Sequence, residues 1–364
     1  MQAECHDADV VVVGGGTAGS ATALLCARQG LRTVLLEARP LELAGARWVN
    51  ALPPGVFARI GIEPSVAPEK VEEDLPVTLL GPEGRSGVTI DPSPVWHIDI
   101  RLLVDRLHGL AAAAGVRCFD RVTIGEPVLD KGRPVELPAR QELDDGRTRD
   151  LSFKARLFVD ASGLSGALRR RVPALAACCP DVPERHLCFA IQEVCTISDR
   201  AGAGAFLARH RATPGQAVAR NGLHGGFSTM GVLVGQNLER VGLLVGALAD
   251  GTHGRTSDHL KEFKQREGWI GERLFGGGGL IPLRRPYDRL AVRGAALVGD
   301  AACMVFSAHG SGIAAGMTAG RMLAEAASAG GDPGAIRNLW KYQSHFHRTL
   351  GPALSSYDHV RRLV

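Results

Sequence analysis

The sequence predicts an α/β fold: a parallel sheet flanked by helices, interrupted by an inserted, mostly antiparallel sheet and followed by a C-terminal helical segment. Three observations lead to it. The valine-rich run from Asp9 to Val13 ends directly in Gly14-Gly15-Gly16-Thr17-Ala18-Gly19. The same order of strand then turn returns in ARLFVDASGLSGALRR, residues 155–170, and in AALVGDAA, residues 295–302, followed by GSGI at 310–313. Between these stretches lie segments that alternate apolar and polar residues with period two, the pattern of a sheet with two unlike faces.

Bulk properties narrow the function classes. A chain of 364 residues is long enough for two or three structural units, each with its own core. Its net charge of +4 comes from 42 basic and 38 acidic residues mixed along the chain, without the basic stripe that nucleic-acid binding requires. The densest basic run, Arg169 to Arg171, is expected to be solvated or to face a helix C-terminus. Eight cysteines without a CxxC pair predict neither a disulfide framework nor a zinc site. No 18 apolar residues follow one another, so a soluble, reducing, cytoplasmic setting is expected, with room for peripheral membrane contact and no preferred oligomeric state.

The first glycine cluster is informative because of its context. A strand buried on both faces precedes it, and a helix rich in Ala and Leu follows from Ser20 to Gln29, stopped by Gly30. A second strand, Arg32 to Leu36, ends at Glu37. In such a unit Gly14 permits the tight turn, Gly16 lets backbone amides approach a pyrophosphate, and Gly19 lets helix and strand pack closely. Thr17 and Ala18 complete the positive helix N-terminus that phosphate meets. Glu37, 18 residues after Gly19, stands where a carboxylate accepts hydrogen bonds from both hydroxyls of an adenosine ribose. It would repel a phosphate there, which favours FAD or NAD over NADP.

Later segments add candidate contacts. HIDIRLLVDRLHGLAAAAGVRC, residues 97–118, carries a leucine stripe at helical spacing, with Arg101 at its start, able to reach phosphate oxygens, and Gly115 at its end. Val116 to Val122 reads as one strand whose backbone flanks an adenine at Val122. Asp160 ends another strand and either binds its own loop amides or caps a following helix. Gly299 and Asp300 turn the strand 295–298, and Gly310, Ser311 and Gly312 open a small-residue helix running to about Ala327. Three strand ends thereby converge, where open α/β sheets place their ligands.

Taken together, GGGTAGS with Glu37, Arg101 ahead of its helix, DASG, and GDAA followed by GSGI resemble the glutathione-reductase-type FAD-binding fold. The resemblance is to the branch holding para-hydroxybenzoate hydroxylase, flavin-dependent halogenases and geranylgeranyl reductases, and it spans residues 9–325. It implies FAD, with its pyrophosphate on the first cluster, its ribose on Glu37, its phosphate or ribityl region at Arg101, and its ribityl chain or pyrophosphate at Asp300. It also implies that the amides from Gly310 to Ile313 face the flavin ring. The chain departs from its relatives in places. Ser307 stands where many carry proline, the halogenase signature WxWxIP is absent, and LELAGARWVN lacks the cysteine that geranylgeranyl reductases often carry.

The FAD domain is expected to comprise residues 1–75, 97–170 and 289–330, the substrate domain 76–96 and 171–288, and a C-terminal helical segment 331–364. Strands are expected at Val77–Leu80, Gly87–Ile90, Leu187–Thr196, Gly226–Val234 and Val241–Leu248. A helix capped by Thr256 or Ser257 should run to about Arg266, and a final helix should begin near Pro333. The inward sheet face is apolar, with Phe189, Gln192, Phe227 and Met230 as substrate-side candidates. His309 and His97 are the candidate proton-transfer residues. The function expected is an FAD-dependent reductase or dehydrogenase acting on a small apolar or aromatic organic molecule by hydride transfer. The alternatives are a hydroxylating monooxygenase and, from another class, a non-catalytic dinucleotide-binding module. No second GxGxxG follows, so NAD(P)H, if it is the electron donor, visits transiently.

Overall fold

A computed structural model describes residues 3–223 and 227–363. The valine run forms the strand Val10–Val13, with all four residues buried. It lies in a six-stranded sheet between Thr33–Leu36 and Leu157–Asp160, with Ala295–Leu297 beyond the latter. These pairings are parallel, and their register sets Val13 beside Leu36 on one side and Asp160 on the other, with Leu297 beside Asp160. The convergence of strand ends is therefore a matter of register.

The glycine turn leads into the helix Thr17–Arg28, which ends as expected at Gly30, with φ +79°. Against it lies the helix Ile313–Ala327. A Cβ on Gly320 would come within 2.4 Å of Thr22 Oγ1, and one on Gly316 within 2.9 Å of the Ala18 Cβ. The small residues in the later part of this helix thus serve close helix packing, whereas its first turn faces the sheet ends. The helix Ile336–Thr349 covers the end of the same sheet, where the Tyr342 hydroxyl donates to the Leu297 carbonyl at 2.6 Å. The single final helix expected near Pro333 is two, Ile336–Thr349 and Gly351–Arg361.

The inserted sheet has seven strands in the order Ile270–Pro282, Leu187–Ile197, Arg240–Leu248, Ser228–Val234, Ala217–Asn221, Val77–Leu80 and Gly87–Ile90. Only the pairing of Ala217–Asn221 with Val77–Leu80 is parallel. The expected start of one strand at Gly226 lies outside the described residues. The back of this sheet packs on the helices Arg200–Arg209 and Thr256–Arg266 through Phe206, Leu207, Leu260 and Phe263. Two smaller sheets complete the fold. One pairs Val49–Leu52 and Lys70–Glu72 with the central strand Trp96–Asp99, and the other is built on the hairpin Arg133–Glu142 and Thr148–Lys154.

Several local expectations are corrected. The segment 116–122 is two strands, Arg117–Phe119 and Val122–Ile124, because Arg121 takes φ +50° and passes the chain from the parallel sheet to another. No regular helix follows Asp160 directly. Its carboxylate gathers the amides of Ser162, Leu168 and Arg169 at 2.6–3.0 Å, which winds the chain into a short 3-10 turn, Gly163–Ser165. Arg169 is buried instead of solvated. Its guanidinium donates to the Cys179 carbonyl and pairs with Asp181 at 2.8 Å. Thr256 is the first residue of its helix, and the preceding cap position, Arg255, makes no side-chain capping bond.

Packing at Gly320 yields the first prediction. Gly320→Val should destabilise the protein by about 1–3 kcal/mol through overpacking between the two helices. Thermal denaturation matching the unsubstituted protein would show that the helices separate freely.

Candidate functional site

The glycine turn is held by backbone approach and by three side chains. A Cβ on Gly14, at φ +110°, would lie 2.4 Å from the Ala161 carbonyl oxygen, and one on Gly19 would lie 1.8 Å from that of Gly14. Gly16 meets nothing closer than the Gly45 Cα at 3.6 Å, which leaves its outer side open. The Gly15 amide donates to Glu37 Oε2 at 2.7 Å, while Ser20 Oγ and His108 Nε2 both donate to the Gly15 carbonyl at 2.8 Å. One peptide is thus fixed from both sides. His108 was not singled out from the sequence, although its position seven residues after Arg101 on one helix was a usable signal.

Glu37 is buried, with its second oxygen accepting from the Arg39 amide at 3.1 Å and Nε at 3.2 Å. Val122 donates its amide to the Glu37 carbonyl at 2.9 Å, so it sits beside the acid but its own donor is used. The first turn beginning at Thr17 has no side-chain cap at Gly16, and its amides remain available to an anion.

The second half of the site lies at Gly299–Ala302 and the start of the helix Ile313–Ala327. Gly299 takes φ +65° with a hypothetical Cβ 2.9 Å from that of Ala18, which joins this turn to the first one. The Asp300 carboxyl makes no side-chain hydrogen bond among the described residues, and burial pushes its pKa up to about 6. It approaches the Gly312 Cα side, where a Cβ would meet Asp300 Oδ1 at 3.0 Å. Of the four amides expected to face outward, two are used locally. Gly310 donates to the Phe306 carbonyl at 2.8 Å and Ser311 to His309 Nδ1 at 3.3 Å. Gly312 and Ile313 keep theirs without an acceptor among the described residues.

Beside this turn opens a cavity of about 1150 Å³, above the usual range of a single small-molecule site. His309, Gly310 and Ser311 line one end of it, with the His309 ring 5.5 Å from Phe306 and from Tyr357 of the last helix. Desolvation by the cavity wall lowers the His309 pKa although the side chain remains solvent-accessible, and its Nδ1 accepts the Ser311 amide. The seven-stranded sheet roofs the cavity with small and apolar residues, among them Ala190, Ala219, Gly231, Gly242, Leu244 and Gly246.

Of the four substrate-side candidates, Gln192 and Phe227 line this space. Gln192 exchanges hydrogen bonds with the Val49 backbone, donating at 2.7 Å and accepting at 2.5 Å, and so docks the roof on the Val49–Leu52 strand. Phe189 and Met230 do not line it. Phe189 is one residue out of phase with Cys188 and Ala190, and Met230 packs into the core behind the sheet. Arg101 lines the cavity, where Asp99 pairs with it at 2.6 Å and 3.0 Å and its guanidinium lies 3.4 Å from the Phe275 ring centroid. Its charge is therefore already matched. His97 also lines the cavity, with Nδ1 buried and unpartnered, and burial lowers its pKa. Trp48, not predicted as a site residue, lines it too.

Comparison with known proteins follows from this geometry. The family described as FAD dependent oxidoreductase matches residues 9–58, the glycine turn through the segment after Glu37. The chain is 25% identical over 366 residues to the digeranylgeranylglycerophospholipid reductase of Sulfolobus acidocaldarius, covering 98% of this chain and 77% of that protein. The chain is an FAD-dependent oxidoreductase. Among solved structures, a geranylgeranyl bacteriochlorophyll reductase-like protein of Thermoplasma acidophilum superposes with TM-score 0.83 at 17% identity, covering 98% of this chain and 87% of that one. A flavin-dependent brominase superposes with TM-score 0.69 at 17% identity, covering 94% and 84%. Both likenesses concern the fold. This oxidoreductase thus carries, near the ends of the parallel strands, a bare glycine turn, a buried acid at Glu37 and, at Asp300, a carboxyl without a side-chain hydrogen bond among the described residues.

Two outcomes are expected at Asp300. A folded-state pKa near 6 against about 3.8 in the unfolded chain means that its contribution to stability is full below pH ~4 and lost as pH rises through 6. In apoprotein, Asp300→Asn should therefore be more stable than the unsubstituted chain at pH 8, by about 1–3 kcal/mol, and equal to it at pH 4. Denaturant melts at the two pH values check this, and a gap that widens toward pH 4 would reverse the sign. Asp300→Ala should fold but fail to retain FAD; stoichiometric flavin after gel filtration would place the cofactor elsewhere.

Proposed function

We propose that this oxidoreductase is a reductase that transfers hydride to an extended, apolar, unsaturated organic substrate of isoprenoid type, with NAD(P)H as a transient electron donor. The observation that carries this reading is the cavity. It is large, roofed by glycine, alanine and leucine, and lined also by Ser311 and Ala314, which bracket the start of the helix Ile313–Ala327. The full-length similarity to a digeranylgeranylglycerophospholipid reductase supports the substrate class.

FAD, when bound, supplies the two-electron chemistry. The chain's own residues have separate tasks in this proposal. Amides at Gly16, Thr17 and Ala18 neutralise the pyrophosphate, Glu37 accepts from the ribose hydroxyls, and Asp300 accepts from the ribityl chain. Gly312 and Ile313 donate to the electron-rich edge of the ring system. His309 moves a proton at the same end of the cavity, and the roof excludes water from the substrate. The segment in which related reductases often carry a cysteine instead presents Trp48 and Asn50 to the cavity, so the proton need not come from that position. We take residues 76–96 and 171–288 as the substrate-binding unit, since the seven roof strands come from these two stretches.

The fold likeness to a brominase keeps an oxygen-using reading in view. Purified protein should be yellow, with flavin absorbance near ~450 nm after FAD is supplied. Incubated with NAD(P)H and a prenyl alcohol, it should saturate double bonds anaerobically. Product formed only with oxygen, and carrying isotopically labelled oxygen, would replace reduction by hydroxylation. His309→Ala should retain flavin and lose roughly 10²-fold or more in turnover; an unchanged rate would remove it from proton transfer.

A further inference from the structure

The strand Lys70–Glu72 pairs with Trp96–Asp99, and its register contains a break. Lys70 lies opposite Ile98, so regular pairing would set Glu72 opposite Trp96; instead Glu72 lies opposite His97. One extra residue, Val71, is accommodated between them. Such a bulge turns the following side chain to the other face of the sheet. Here it moves an acid from the Trp96 face to the His97 face, and both Glu72 and His97 line the cavity.

Glu72 is met by the Gln236 backbone amide, and His97 leaves one ring nitrogen unmatched. His97 has no hydrogen-bond partner for its buried Nδ1, a costly arrangement unless something in the cavity supplies one. Burial raises the Glu72 pKa, opposed by the Gln236 amide from the hairpin at the cavity edge, and lowers that of His97. Both groups are thereby biased toward their neutral forms. Several other polar groups nearby are already matched, Asp99 by Arg101, Gln192 by the Val49 backbone and Lys70 by Glu73, whereas Trp48 Nε1 is a second buried cavity-lining atom without a partner.

We propose that Glu72 and His97 form a polar anchor that binds a hydroxyl group of the substrate, which fixes how far its apolar chain extends along the cavity. The substrate is then an amphipathic alcohol held at one point of an otherwise apolar space. This deepens the substrate reading above and rests on it only for the chain type.

The test uses two matched pairs of probes: farnesol with farnesyl methyl ether, and tetradecanol with tetradecyl methyl ether. Each ether replaces the hydroxyl hydrogen by a methyl group, which removes the donor and keeps the oxygen as an acceptor. Binding to the full-length protein, with and without FAD, is read from tryptophan fluorescence, since Trp48 lines the cavity. The alcohol of a pair should bind about five- to tenfold more tightly than its ether, the usual effect of a hydrogen bond made in a buried site. In His97→Phe and Glu72→Leu that preference should fall within about twofold, and His97→Gln should restore part of it. Equal affinity of alcohol and ether in the unsubstituted protein, survival of the preference in both apolar variants, or no binding of either pair would each overturn the anchor. If His97→Phe does not fold, Glu72→Leu and His97→Gln decide. A preference seen only with the tetradecyl pair, with farnesyl probes failing to bind, supports the anchor and removes the isoprenoid reading. Binding of all four without preference does the reverse.

Discussion

The contact between the Gly14 carbonyl and the bare Cα of Gly19 governs the rest of this structure. No side chain fits there, so the turn can close and the helix can start directly above the sheet. Closure brings Ala18 against Gly299 and Gly316, which ties the last turn of the sheet and the long small-residue helix to the first. Glu37, His108 and Ser20 then clamp the Gly15 peptide, and the amides behind it stay uncommitted. A turn built in this way owes its shape to steric absence, and its unpaired N–H groups give it a preference for negative charge.

Much of the cofactor half was legible because it is written in local terms. Four valines in succession, a glycine turn, an Ala-Leu helix and an acid after the next strand each state their conformation within a few residues, and the parallel sheet adopts them in that order. What escaped was decided at a distance. Arg169 looked like part of a solvated basic run, yet Asp181 and the Cys179 carbonyl hold it inside. Thr256 looked like a cap because its residue type favours one, but the helix takes it as its first residue. Arg121 adopts a positive φ that no periodicity announces, and it splits one expected strand between two sheets.

The substrate half was legible in outline and misleading in phase. Alternation located five of the seven roof strands, since period two marks any sheet with two unlike faces, but it missed Ala217–Asn221 and the glycine-rich Ile270–Pro282. It could not say which face was which when both are apolar. Phe189 and Met230 were attractive as large side chains, yet Phe189 is exposed on the far side of its strand and Met230 packs into the core behind the roof. The bulge that sets Glu72 beside His97 is equally silent in sequence, since it shows only as a slip between partners far apart along the chain.

The glycine-rich roof has a bearing on how this cavity could diversify. Its space is carved from hydrogen-bonded strands instead of from loops, so the walls keep their positions when a side chain is added. At Gly231 and Gly242 a new Cβ would meet its nearest neighbours at ordinary contact distances of 3.6 and 3.8 Å. Each such position works like a notch on a gauge: alanine there would subtract one methyl group from the interior without disturbing the scaffold. The volume of this cavity can therefore drift by single methyl steps, independently of the glycine turn and the parallel sheet.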